Sequence, residues 1–286
     1  MTAAGGVVRP ARRPAGWRAP GPAPAAPDDP VCWPSAGEDL CALAGDWRIL
    51  QLRRGHRWSL DDLATAWLAA EVATPRRHAD LGCGIGTVLL LLAWRFPQAY
   101  GVGVEAQAVS VGLARRSIAW NGVADRCRVV GGDLRNPAVL AGAASFDLVT
   151  ATPPYLPPGT AHESARPQWG PCHVEQRGGI EDYARAAAHL LAPDGWFVTC
   201  AGGTQDGRVD AAAHAAGLVV VCRRAVVPRA GKSPLLAVHA LRRRAAADGP
   251  PAVEAPLVVR DHAGRWTDGY RAVRRAFGMP DRPPAG

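Results

Sequence analysis

The chain has 286 residues, a formal charge of +8 and seven cysteines, and Lys232 is its single lysine. A chain of this length buries a full α/β core with short extensions, and no apolar run approaches the roughly twenty residues of a membrane-spanning helix. Cysteines without C-x-x-C spacing, and histidines without a ligand pattern, point to free thiols, no metal, a reducing compartment and a cytoplasmic location. The basic charge, carried almost wholly by arginine, favours a polyanionic partner such as RNA. Residues 1–30 are rich in Ala, Pro, Gly and Arg with no acid before Asp28, which predicts a disordered tail. An organellar transit peptide shares that arginine-rich, acid-poor character, but no serine precedes Ser35 and the prolines oppose an amphipathic helix.

Residues 31–73 read as a hairpin and a helix. Trp47–Leu52 and Arg57-Trp58 flank Arg53-Arg54-Gly55-His56 as the hairpin, and Ser59-Leu60-Asp61-Asp62 has the form of a capping box opening a helix through Glu71. Residues 74–245 then alternate strands and helices. Helices are predicted over Thr87–Phe96, stopped by Pro97, over Ala106–Trp120, closed by Asn121-Gly122, and over Ile180–Leu191. Apolar strands are predicted at Tyr100–Glu105, Val129–Leu134, Phe146–Ala151 and Trp196–Cys200. Extended runs at Leu218–Val227 and Leu235–Arg242 meet across the turn Pro228–Pro234. Within that turn Gly231-Lys232-Ser233 imitates the end of a phosphate-binding loop, but Val226 stands where its first glycine is needed. Residues 246–286 add a strand at Pro256–Arg260 and a Thr267-capped helix over Asp268–Phe277, with Arg271, Arg274 and Arg275 on or near one face. Alternating strands and helices imply a parallel sheet.

Four features fall at the carboxyl ends of the predicted strands, where open α/β sheets bind ligands. Asp80-Leu81-Gly82-Cys83-Gly84-Ile85-Gly86 places glycines at alternate positions before a helix, so that backbone and helix N-terminus can approach a polar ligand. It fails the dinucleotide pattern, because Thr87 or Leu89 stands where the last glycine is required. Glu105 ends a strand about twenty residues later, the spacing at which such folds place an acid on ribose hydroxyls. Asp133-Leu134 ends the next strand, and Thr152-Pro153-Pro154-Tyr155 the one after.

The D-x-G-x-G-x-G run resembles motif I of the class I S-adenosylmethionine-dependent methyltransferases. With Thr152-Pro153-Pro154-Tyr155, the resemblance narrows to N-methyltransferases. Gln51, then Gly55-His56-Arg57-Trp58-Ser59-Leu60-Asp61, look like the lead-in segment of the tRNA1(Val) adenine-37 N6-methyltransferase family. Leu156-Pro157-Pro158-Gly159, Glu175 before Gly178–Tyr183, Pro256–Val259 and Trp266-Thr267 match that family in order. The resemblance covers about residues 45 to 278. It implies a Rossmann-like, doubly wound seven-stranded sheet with an antiparallel last strand, spanning residues 74–245. It implies S-adenosyl-L-methionine as cofactor, with Asp80, Gly82, Gly84 and Gly86 shaping the methionine pocket, Glu105 holding the ribose, and Asp133 with Leu134 addressing the adenine.

By the same resemblance Thr152 and the Pro153 carbonyl accept the two N–H groups of a target amine, Pro153 and Pro154 lock the turn, and Tyr155 stacks on the flipped base. Threonine is a departure, since asparagine, aspartate or serine usually occupies its position. The stretch from Leu156 to Gly179 is long for a connector and reads as a lid or RNA-facing loop, with His162, Arg166, His173 and Arg177 as candidate phosphate contacts. The implied partner is RNA, specifically tRNA. Two other readings stand beside it. A glutamine N5-methyltransferase acting on release factors uses the same Pro-Pro-Tyr logic, but normally carries a helical domain before motif I. A non-catalytic cofactor- or RNA-binding module would keep the fold without the chemistry.

Overall fold

A computed structural model describes residues 5–140, 145–155, 174–246 and 250–281. Its centre is a nine-stranded sheet. Five strands lie side by side and parallel: β6 (Cys127–Gly131), β5 (Tyr100–Glu105), β4 (Arg77–Leu81), β7 (Phe146–Ala151) and β8 (Leu191–Gly202). Beyond β8 lies the antiparallel β10 (Leu236–Arg243), which pairs in turn with β9 (Leu218–Val227). These seven strands form the expected sheet with its antiparallel last strand. Two short strands, β11 (Ala252–Val253) and β12 (Leu257–Val258), extend the sheet to nine by pairing with the free edge of β9.

Helices cover both faces, so side chains alternate along each strand between two cores. On one face α1 (Leu60–Val72), α2 (Thr87–Arg95), α3 (Ala108–Asn121) and α6 (Asp268–Ala276) pack with Leu148, Val198, Cys200 and Val238. On the other, α4 (Ile180–Leu190) and α5 (Asp206–Ala215) pack with Phe146, Val149, Phe197 and Ala201. No helix among the described residues is long and apolar enough to cross a membrane.

Most predicted elements appear within a residue or two, and the departures have physical causes. Strand β8 begins at Leu191, directly after α4, because Pro193-Asp194-Gly195 sits in an irregular register between Phe146↔Leu191 and Leu148↔Trp196. Helix α5 has no counterpart in the sequence reading: its alanine-rich run buries only Val209, Ala212 and Ala213 and carries little periodic signal. The predicted hairpin is corrected. Strand β3 (Arg48–Leu52) pairs antiparallel with β2 (Glu38–Ala42), upstream of it, and Arg57-Trp58 forms no strand. Trp58 N instead donates to the Gln51 side chain at 3.0 Å, so the run from Arg53 to Trp58 folds back as a connector.

The β2–β3 hairpin is fastened to α3, where Ser117 Oγ accepts from Leu50 N at 2.9 Å and Asn121 Oδ1 from Arg48 N at 3.0 Å. Part of the stretch expected to be disordered has defined contacts. Strand β1 (Val7–Val8) runs parallel to β2, Arg9 Nε donates to the buried Asp39 at 3.0 Å, and Ala26 N donates to Trp120 O at 2.9 Å. A chain poor in apolar residues is held here by an edge strand and an ion pair, features that composition does not reveal. At the other end Thr267 Oγ1 accepts from Tyr270 N at 3.2 Å, capping α6 as predicted. Its arginines are used locally: Arg274 lies over the Trp266 ring at 4.4 Å and Arg275 pairs with Asp281 at 3.0 Å.

Candidate active site

A cavity of about 370 Å³ opens at the carboxyl ends of β4, β5, β6 and β7, large enough for a nucleoside-sized ligand. Gly82, Gly84, Glu105, Asp133, Leu134 and Thr152–Tyr155 all line it. The sequence-predicted residues are thus brought together, apart from two. Asp80 and Gly86 stand behind the lining and shape it indirectly.

The glycine turn explains its own composition. Gly82 and Gly84 adopt φ of +61° and +53°, which side-chain-bearing residues rarely adopt. A Cβ on Gly82 would come within 2.5 Å of Tyr183 Oη, whereas one on Gly84 would meet nothing and project into open space. Asp80 anchors the turn from below. Its carboxylate accepts from Thr150 Oγ1 at 2.8 Å and from Leu89 N, in the first turn of α2, at 3.2 Å. Burial pushes this carboxyl up to about 7, against the opposing pull of those two hydrogen bonds. Glu105 is buried too and is tied to the turn, accepting from Gly84 N at 2.9 Å and from Gln107 N at 2.6 Å. Desolvation again raises its pKa. Cys83 also lines the cavity, but burial pushes its thiol far up, so it offers no thiolate.

Asp133 lies at the rim, where its Arg135 partner lowers its pKa. Arg177 lines the same side and faces both Glu105 and Asp133. Its segment is pinned by Arg208, which bridges Glu175 at 2.9 Å and Glu181 at 2.7 Å. His162, Arg166 and His173, together with Leu156 to His173 of the expected lid, lie outside the described residues.

Opposite the glycine turn stands Thr152-Pro153-Pro154-Tyr155. Gln205 braces it: Nε2 donates to Tyr155 O at 3.0 Å while Oε1 accepts from Gly202 N at 3.2 Å. One side chain therefore fixes the turn to the end of β8. Burial raises the Tyr155 pKa, with the Asp61 charge nearby acting the same way. Asp61 comes from the capping box at the start of α1, where Ser59 N donates to Asp62 at 2.9 Å. Asp62 is buried and its pKa is pushed well up by desolvation. Sequence reasoning took Ser59–Asp62 as a helix start and Ser59–Asp61 as part of the family lead-in, named Tyr183 only within the Gly178–Tyr183 run without a role, and missed Gln205. The lead-in from Gly55 did carry a signal, and the structure places Gly55, His56, Arg57, Ser59, Asp61 and Asp62 on the cavity wall.

The donor set suits a cationic, hydroxyl-bearing nucleoside ligand. Glu105 presents a carboxyl at the end of β5, Gly84 leaves backbone open to the crevice, and four further carboxyls (Asp61, Asp62, Asp80 and Asp133) surround or underlie it. S-adenosylmethionine, with its sulfonium and diol, fits these residues.

The comparisons agree with this geometry. Residues 57–166 match the family model described as "Methyltransferase small domain". A crystal structure from Agrobacterium tumefaciens, described as a predicted O-methyltransferase, shares the fold. It superposes with a TM-score of 0.59 at 21% identity, covering 77% of this chain and 98% of that one. Over residues 57–166 the chain is similar to methyltransferases, and together with the fold this supports an S-adenosylmethionine-dependent methyltransferase. Among curated relatives, a tRNA1(Val) (adenine(37)-N6)-methyltransferase from Porphyromonas gingivalis strain W83 is 31% identical, over 46% of this chain and 53% of its own length. A release factor glutamine methyltransferase from Bradyrhizobium diazoefficiens is 34% identical over 50% of each chain. The chain thus spans about half the length of the curated relatives it matches.

Proposed function

We propose that this chain transfers a methyl group to a planar exocyclic amino nitrogen, and that the acceptor is adenine N6 in tRNA. The observation that carries this reading is the braced Thr152–Tyr155 turn, facing the glycine-and-Glu105 wall across one cavity. Bound S-adenosylmethionine supplies an electrophilic methyl on a sulfonium.

The residues then divide the work. Glu105 takes the ribose hydroxyls, Gly82 to Gly86 leave room for the methionine moiety, and Leu134 packs against the cofactor's adenine with Asp133 beside it. On the far wall the target amine is a poor nucleophile, because its lone pair is delocalised into the ring. Thr152 Oγ1 and the Pro153 carbonyl accept its two N–H groups, holding the nitrogen in line and favouring the charge that develops there. Pro153 and Pro154 fix the local φ angles and remove competing backbone donors. Tyr155 stacks on the base once it leaves the helix.

The tRNA reading is favoured over release-factor glutamine because the lead-in segment that resembles the tRNA family, Gly55 to Asp61, contributes directly to the cavity wall. The glutamine reading keeps one specific support, the Bradyrhizobium relative and its kin. Incubation with labelled S-adenosylmethionine and unmodified tRNA, followed by nucleoside mass spectrometry, separates the two. N6-methyladenosine is the expected product. Label confined to added release factor would establish the glutamine reading and overturn this one.

A further inference from the structure

We infer that the rim of the crevice is a docking surface for the RNA sugar–phosphate backbone, with Arg53 and Arg54 on one side of the mouth and Arg229 and Lys232 on the other. The inference rests on the RNA reading above and adds to it where the phosphates lie.

Arg53 and Arg54 are exposed and immediately precede Gly55, His56 and Arg57, which line the cavity. Arg53 N donates to Gly37 O at 2.8 Å, so the backbone here is fixed while both guanidinium groups stand outside. Arg229 and Lys232 lie on the turn between β9 and β10. That turn reaches the crevice end of the sheet because β10 runs antiparallel to β8, pairing Leu236 with Gly202. Its base touches the acceptor wall: Gly203 N donates to Leu235 O at 3.2 Å, and Gly202 shares Gln205 with Tyr155. Pro234 O lies 2.4 Å from where a Gly203 Cβ would be, so glycine permits this close approach. Ala230 N donates to Arg260 O at 2.8 Å and braces the turn.

These four cations share a second property: among the described residues none makes an ion pair. Many arginines elsewhere are committed, as in Arg116–Glu38 at 2.8 Å, Arg223–Asp210 at 2.7 Å and Arg265–Asp261 at 2.9 Å. Other exposed arginines, among them Arg12, Arg18, Arg76, Arg95, Arg128 and Arg177, also make no ion pair; Arg76 lies just before β4 at the opposite end of the sheet, and Arg177 is itself at the cavity. Clustered unpaired cations repel one another and contribute nothing to the fold, and a polyanion relieves that repulsion.

The interior leans to the opposite charge. Asp61, Glu105 and Asp133 line the cavity against Arg57 and Arg177, while burial favours the protonated form of Asp62, so a phosphate meets a less positive field inside than at the rim. Such a pocket inside a basic rim selects a ligand that is anionic along its backbone and uncharged at the group it inserts. A nucleotide flipped out of an RNA has that pattern.

The test uses the full chain and two double variants, Arg53→Glu with Arg54→Glu, and Arg229→Glu with Lys232→Glu. Binding of an unmodified tRNA transcript is measured across a salt series, with S-adenosylmethionine affinity as the folding control. Each pair is expected to weaken tRNA binding by about tenfold or more and to lower the log–log salt slope by about 1–2, at ~0.7–0.9 per lost phosphate contact. Cofactor affinity and kcat at saturating tRNA should not change. If the wild type methylates tRNA while both variants bind it with unaltered Kd and slope, the surface is wrong and the RNA reading stands. If the wild type labels only release factor, the RNA reading falls and this surface falls with it. A second readout needs no variant. Because Lys232 is the only lysine, amine acetylation read by peptide mass spectrometry reports one side chain, and tRNA should protect it where cofactor alone does not. Equal labelling with and without tRNA would contradict its place on the surface.

Discussion

The two walls of the crevice are built differently. The wall assigned to the cofactor is local: three left-handed glycines, one buried glutamate and one buried aspartate, joined by backbone hydrogen bonds within Asp80–Gln107. The acceptor wall is assembled from distant parts. Thr152–Tyr155 is held by Gln205 some fifty residues on and faced by Asp61 some ninety residues back. On the proposed reading the cofactor is met by local backbone geometry, while the acceptor is met by side chains brought together from distant parts of the chain. Damage to the first wall should therefore abolish binding, and damage to the second should slow transfer while sparing binding.

The largest effect is expected at the cofactor wall. Gly82→Val places a branched side chain at positive φ and against Tyr183 Oη. It should abolish measurable S-adenosylmethionine binding by calorimetry and lower Tm by several degrees, because left-handed backbone alone costs about 1–2 kcal/mol. Glu105→Gln keeps the shape and removes the charge. It should weaken cofactor binding by roughly 10- to 100-fold, the scale of a lost charged hydrogen bond. At the acceptor wall, Gln205→Ala removes both braces of the turn. Turnover should fall by about tenfold with cofactor affinity held within twofold, and a matching loss of cofactor affinity would erase the distinction between the walls.

The smallest effect is on stability against pH, and it arises within one strand. Asp80 and His78 are both buried in β4, and burial moves Asp80 up to about 7 and His78 down to about 4. Between about pH 4 and 7 the folded chain keeps a proton on Asp80 that the unfolded chain releases, so this group's contribution falls as pH rises. Between about 4 and 6.5 the unfolded chain protonates His78 and the folded chain does not, so this contribution grows as pH rises. In the wild type the two oppose each other. Asp80→Asn should leave the histidine's part alone, so that denaturant midpoints of the ligand-free protein climb more steeply from pH 4.5 to 6.5. An unchanged slope would mean that Asp80 does not hold its proton in the fold.

What the sequence disclosed follows the same division. Motif I, Glu105, Asp133 and the Thr152 turn were legible because their geometry is local: glycines where φ is positive, acids where strands end, prolines where a turn is locked. Among the described residues, most strands of the central sheet and five of the six α-helices were legible through apolar runs and breakers. The hairpin was misplaced because Trp47–Leu52 has two possible partners, and the ladder to Glu38–Ala42 depends on anchoring to α3 through Ser117 and Asn121. Gln205 gave no signal, and Tyr183 only its place in the Gly178–Tyr183 run, because nothing near them in the chain marks a role that arises only when β8 and α4 reach the crevice. The contacts of residues 5–29 escaped for a related reason, since their partners (Asp39, Asp46, Trp94 and Trp120) lie on other elements.

The most direct test of the two-wall account is the single-turnover rate of Thr152→Ala at saturating cofactor, measured on whichever acceptor the wild type methylates. The account predicts a rate lower by about 10², the scale for losing one oriented hydrogen-bonding group in a transition state, with S-adenosylmethionine affinity unchanged. A wild-type rate would contradict it, and show that Thr152 only closes strand β7 and that the acceptor is held elsewhere.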